Sequence, residues 1–172
     1  MNITKLDIEI SAEEVKERFD ALGIQREDIW LDIENPGIEL GNGKVIVTCT
    51  LNPAFCSRTV ATAEFELKPR RSDGVLIVCL RRVQARVAPL GGVFGSLDFD
   101  GDWTERKIME AISHAVTGRD GYAVDGKSLI VDLKTLLKDN KFISLQSQLI
   151  GVNINPSRIA MQFSNETFGN CR

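Results

Sequence analysis

The sequence predicts an α+β domain in which a long, strongly curved antiparallel sheet packs around one or two amphipathic helices. Three observations carry this: three consecutive strand patterns fill residues 44–87, two helix patterns flank them, and the chain closes on a hairpin pattern. The 172 residues are 43% hydrophobic and 26% charged, as in an ordinary globular domain. At this length folding removes roughly 70% of the unfolded surface from water, enough for one core and too little for two. The expected organisation is one domain over 1–164 and a flexible tail over 165–172.

The segment Ser11 to Leu22 reads as a helix. Ser11 and Glu14 form a capping box, Val15, Phe19 and Leu22 recur at helical spacing, and Gly23 stands where a C-terminal cap belongs. Ile29, Leu31 and Ile33 then alternate with Trp30, Asp32 and Glu34, a strand with one buried face that Asn35-Pro36-Gly37 ends in a turn. Beyond the loop at Gly41-Asn42-Gly43, Val45, Val47, Cys49 and Leu51 alternate with polar residues, and so do Ala61, Ala63, Phe65 and Leu67. After Ser72-Asp73-Gly74 a third run is apolar from Val75 to Leu80, then alternates through Val83, Ala85 and Val87 against Arg82, Gln84 and Arg86. Its first half is expected to be covered on both sides. Strands this long, joined by short turns, make a meander that must twist and curl.

Pro89 to Gly95 is a glycine-rich connection to a second helix, from about Trp103 to Thr117, with Asp102 and Glu105 as its cap pair and Gly118 as its stop. Ile108, Ile112, Ala115 and Val116 form its apolar face. Gly121 to Asp125 reads as a turn or short strand, Leu129 and Val131 mark a brief strand, and Asp132 to Asp139 a short helix. Two strands close the chain around Asn155-Pro156-Ser157: Ile143 to Ile154, and Arg158 to Ser164.

Chemistry is sparse. A net charge of -3 gives no bulk attraction to polyanions, so nucleic acid is not an expected partner. Cys49, Cys56, Cys79 and Cys171 contain no C-x-x-C pair and share one histidine, which argues against structural zinc; Cys49 and Cys79 read as reduced, buried thiols. That histidine, His114, falls toward the polar side of the second helix beside Glu110, and Gly95-Ser96 lacks the G-x-S-x-G elbow of a nucleophilic serine. Asp98, Asp100 and Asp102 imitate the start of a calcium loop, but Trp103 stands where glycine belongs and Met109 where the bidentate glutamate belongs. The glycine pairs lack the lysine of a phosphate loop. No catalytic residue and no cofactor are expected. No stretch approaches the roughly 20 apolar residues of a bilayer span, and Met1 to Ile10 alternates instead of showing a signal region, so the chain as given reads as soluble.

Two features remain. The dry face of the curled sheet presents Val45, Val47, Ala61, Ala63, Phe65, Val83, Ala85 and Val87, opposite Ile108 and Ile112 of the second helix; the small alanines leave space for an acyl chain or for the helices alone. Lys68, Arg70, Arg71, Arg81, Arg82 and Arg86 lie within nineteen residues whose sole acid is Asp73. They read either as a contact for anionic headgroups or a membrane surface, or as a solvated, charged strand face.

The runs ISAEEVKERF, KVIVTCTL and TVATAEFELKPRRSDGVLIVCLRRVQARV, the helix after them and the closing GVNINPSRIAMQFS together resemble the tubular lipid-binding (TULIP) domains of bacteria, in particular the small envelope proteins of the YceB-like DUF1439 type and the DUF2993 type. The resemblance spans about Ile10 to Ser164 and rests on element order. It implies a sheet wrapped round a helix, an apolar groove for a lipid or other amphiphile, no enzymatic activity and a place in the cell envelope. The chain itself lacks a signal peptide or lipidated cysteine, which points to the cytoplasm. The alternative expectation is a ligand-free structural or protein-interaction domain, with a homodimer as its natural assembly.

Overall fold

A computed structural model describes residues 5–23, 31–53, 59–70, 74–87, 101–138 and 148–164. Two antiparallel sheets and three helices make up these residues. The larger sheet takes the strands β2 (Leu31–Leu40), β3 (Val45–Pro53), β4 (Thr59–Arg70), β5 (Val75–Val87), β6 (Tyr122–Asp125) and β7 (Ser128–Asp132). Its order is β2-β3-β4-β5-β7-β6, and it curls into a half-barrel. The smaller sheet joins β1 (Lys5–Ser11) to β9 (Arg158–Ser164) and β9 to β8 (Gln148–Asn155). The helices are α1 (Ala12–Ala21), α2 (Gly101–Val116) and the single turn α3 (Leu133–Leu136). The expected tail over 165–172 and the first residues of the expected strand from Ile143 lie outside the described residues.

Local chemistry explains most boundaries. Ser11 is the last residue of β1 and, still extended, caps α1: its hydroxyl accepts the Glu14 N–H at 3.1 Å. The reciprocal half of the expected capping box is absent, because the Glu14 carboxylate turns forward to Arg18 at 2.7 Å, the i,i+4 pairing that a solvated helix face favours. Asn155 holds the β8–β9 turn with a side-chain oxygen that accepts the N–H groups of Ser157 at 3.0 Å and Arg158 at 3.1 Å. Asp132 closes β7 and caps α3, accepting from the N–H groups of Lys134 and Thr135.

Two expectations need correction, and one strand adds to them. Asn35-Pro36-Gly37 does not end a strand: β2 runs through it as a bulge, with a register shift between Glu34 and Gly37 and Asn35 at a φ of 48°. Pro36 lacks an N–H for the ladder, and an edge strand can accept both that loss and the extra residue. Helix α2 starts at Gly101 and ends at Val116, so Asp102 lies inside its first turn instead of capping it. Glu105 is no cap partner either, because its carboxylate takes the Lys127 ammonium beside the β6–β7 turn. Finally, Leu6, Ile8 and Ile10 build a strand, β1, whose partner β9 lies at the other end of the chain.

Alternation fixes which face of each strand is dry. Val45, Cys49 and Leu51 of β3, Ala61, Ala63 and Phe65 of β4 and Leu76, Leu80 and Ala85 of β5 are buried on the inner face of the half-barrel. One large cluster joins inner-face residues to Ile108, Met109 and Ile112 of α2 and to Leu149, Ile154, Ile159, Met161 and Phe163 of the smaller sheet. A second cluster gathers Ile33, Cys49, Leu51, Ala61 and the α2 residue Ala111, with Trp103 packed against it.

Candidate functional site

Register lines the expected groove residues up in rows. Val45, Phe65 and Leu80 share one row, Val47, Ala63 and Val83 the next, and Cys49, Ala61 and Ala85 the third. The third row is the smallest in side-chain volume, and the division between the two apolar clusters runs between it and the second. Ala63 belongs to the large cluster and Ala61, two residues back on the same face, to the small one. Ala85, only 5% exposed, belongs to neither. Val47 and Val83 are half-buried against the large cluster. Ile108 and Ile112 of α2 join the large cluster and Ala111 the small one, so one helix spans the division. The Val87 side chain lies outside the described residues.

Sequence reasoning passed over Thr104. It sits on α2 four residues before Ile108 and seven before Ala111, on the same face as both. The residue is fully buried, and its hydroxyl finds no hydrogen-bond partner among the described residues. A hydroxyl placed at helical spacing among apolar residues was the available signal, but threonine is tolerated at so many helix positions that the signal is weak.

Cys49 lies in the small row, and burial pushes its thiol up to about 11, which keeps it neutral and unreactive at neutral pH. Cys79 is half-buried instead of buried, because it shares the outer face with Glu66; the Ser128 hydroxyl lies 3.5 Å from its sulfur. Neither thiol forms a disulfide. Cys56 and Cys171 fall outside the described residues, as do Asp98 and Asp100. His114 is exposed, as expected.

The basic run meets acids that a linear window misses. The bulge at Glu64/Phe65 leaves Arg81 as the extra residue of β5, and its guanidinium donates to the Glu66 carboxylate, which Lys68 also approaches at 3.4 Å. Hydrogen bonding from Arg81 is the first cause that holds the Glu66 carboxyl below its usual range. Arg82 is exposed and stands in register with Glu64, whose carboxylate takes Lys44 at 2.7 Å. Arg70 is exposed and has an interaction of its own, Arg71 lies outside the described residues, and Arg86 is placed as a strand residue without a described side chain. The Lys127 ammonium is raised, first by its hydrogen bond to Glu105.

A shallow open groove of about 330 Å³ lies elsewhere, between the start of α1 and β2, with Val15, Ile38, Leu40 and Pro156 among its walls. None of the described helices is long and apolar enough to cross a membrane, and no group of three metal-ligating side chains forms among the described residues. No family model, curated protein or solved structure matches the chain.

Proposed function

We propose that this chain is a non-enzymatic binding domain that holds a lipid or other apolar ligand between the inner face of the half-barrel and α2, in the manner of a TULIP-like domain. The observation that supports this reading is the division, among the described residues, of the buried apolar side chains at the row of smallest ones, Cys49, Ala61 and Ala85. Well-packed interiors usually form one contiguous cluster per domain with smaller satellite clusters beside it, and here the satellite meets the main cluster at small side chains. Short side chains at a break in that contact network are what a hydrocarbon chain would bridge, each buried methylene contributing about 0.8 kcal/mol. Membrane-surface contact through Arg70, Arg71, Arg81, Arg82 and Arg86 belongs to the same proposal, with Arg82 exposed and Arg81 already engaged by Glu66 among the described residues.

One observation favours the second reading, a ligand-free interaction domain that assembles as a dimer. Val45, Ala61, Ala63, Phe65, Ala85, Ile108 and Ile112 are all buried by the chain itself. The two readings diverge in the variant Ala85→Leu. If a ligand fills the strip, the larger side chain takes its place: the variant folds as well as the parent and binds a pyrene-labelled alkane at least about ten-fold more weakly. If the strip is closed, the parent binds no probe, and overpacking destabilises the variant by about 1–3 kcal/mol in urea.

A further inference from the structure

We infer that Thr104 is the polar anchor of the bound ligand, and that the ligand therefore carries an uncharged, oxygen-bearing head, an ester or an alcohol, on its apolar chain. The inference rests on the reading just proposed. Its starting point is the buried hydroxyl without a partner among the described residues. Such groups are rare, because a buried donor and acceptor left unpaired forfeits its hydrogen bonds to water.

A helical threonine ordinarily returns its hydroxyl to the carbonyl four residues back, and Thr117 does this to Ser113 at 2.7 Å. Thr104 makes no such bond: its hydroxyl has no partner among the described residues. The hydroxyl lies on the face that carries Ile108 of the large cluster and Ala111 of the small one, which is the face that spans the division. A ligand that reaches from the small row along this face of α2 would meet the Thr104 hydroxyl, able to donate one hydrogen bond and accept others.

The described cations on α2 and paired to it argue against a charged head. Lys107 is committed to Glu110 at 2.8 Å and Lys127 to Glu105, while Arg106 is exposed. An ionised carboxylate or phosphate placed against Thr104 would be buried without a counter-charge from these described residues, whereas an ester carbonyl or hydroxyl needs only the hydrogen bond that Thr104 offers.

The test measures binding of three pyrene-labelled probes of equal chain length, an alkane, a methyl ester and a free acid at pH 7, to the parent protein, Thr104→Val and Thr104→Ser. The expected result is that the parent prefers the ester to the alkane by about five-fold, the worth of one ordinary hydrogen bond, and prefers the ester to the ionised acid. Thr104→Val then binds the alkane as the parent does and loses the ester preference, and Thr104→Ser restores it. Undiminished ester preference in Thr104→Val, or tightest binding of the acid, would overturn the assignment of Thr104 while leaving the groove intact. If none of the probes binds saturably to the parent, the proposed groove itself is wrong.

Discussion

At the scale of single residues, burial sets chemistry more than sequence neighbours do. Cys49 shows this. The cysteine sits among alternating β-branched residues, so its place on a dry strand face is legible in the sequence, and the structure places it in the row with Ala61. Its thiol is raised from 9.0 to about 11 by burial, so folding favours the neutral form. The sign of the linkage follows: the contribution is complete below pH 9.0, and stability falls as pH rises toward about 11, because the unfolded chain ionises first. Urea midpoints measured from pH 8 to 11 should fall more steeply for the parent than for Cys49→Ala; parallel curves would show that the thiol is not buried. Thr104 marks the opposite case. Its type and spacing are visible in the sequence, but its lack of a partner among the described residues is a property of three-dimensional packing that no pattern of residue types encodes.

At the scale of elements, strands and caps with a local cause were readable, and contacts across long sequence separations were not. Ser11, Gly23 and Gly118 end or begin helices where their side-chain and backbone chemistry says they should, with both glycines at positive φ. Asn155-Pro156-Ser157 is a turn because a side-chain amide can accept two successive N–H groups there. Removing that acceptor should cost about 1 kcal/mol, comparable to the loss of a helix cap. Asn155→Ala is accordingly expected to lower the urea midpoint without changing the steepness of the transition, and an unaltered midpoint would mean the turn is held by its ends alone. Asn35-Pro36-Gly37 shows where local logic fails: the same residue types that make a turn also make a bulge, and only the pairing of β2 with β3 on both sides of the break decides between them. The strand β1 was equally visible as an alternation, but it becomes a strand through β9, about 150 residues away, and sequence spacing holds no record of that pairing.

At the scale of the whole molecule, an antiparallel meander with helices and a closing hairpin was legible, and the sheet order β2-β3-β4-β5-β7-β6 extends it by the short β6–β7 hairpin. The division of the core was not legible. It arises because the rows of Ala61 and Ala63 meet different partners, and those partners come from α2 and from a second sheet built of the two chain ends. The basic run illustrates the same limit, since Glu66 lies just outside the window that looked cationic and engages Arg81 by pairing across the hairpin. The function of the fold therefore turns on whether that divided core carries a guest. Native mass spectrometry of the full chain, purified without detergent and followed by organic extraction, measures this most directly. A population heavier than the polypeptide by one lipid, recovered as an uncharged ester or alcohol on extraction, is the predicted result; a single species at the bare polypeptide mass, unchanged after incubation with such lipids, would contradict it.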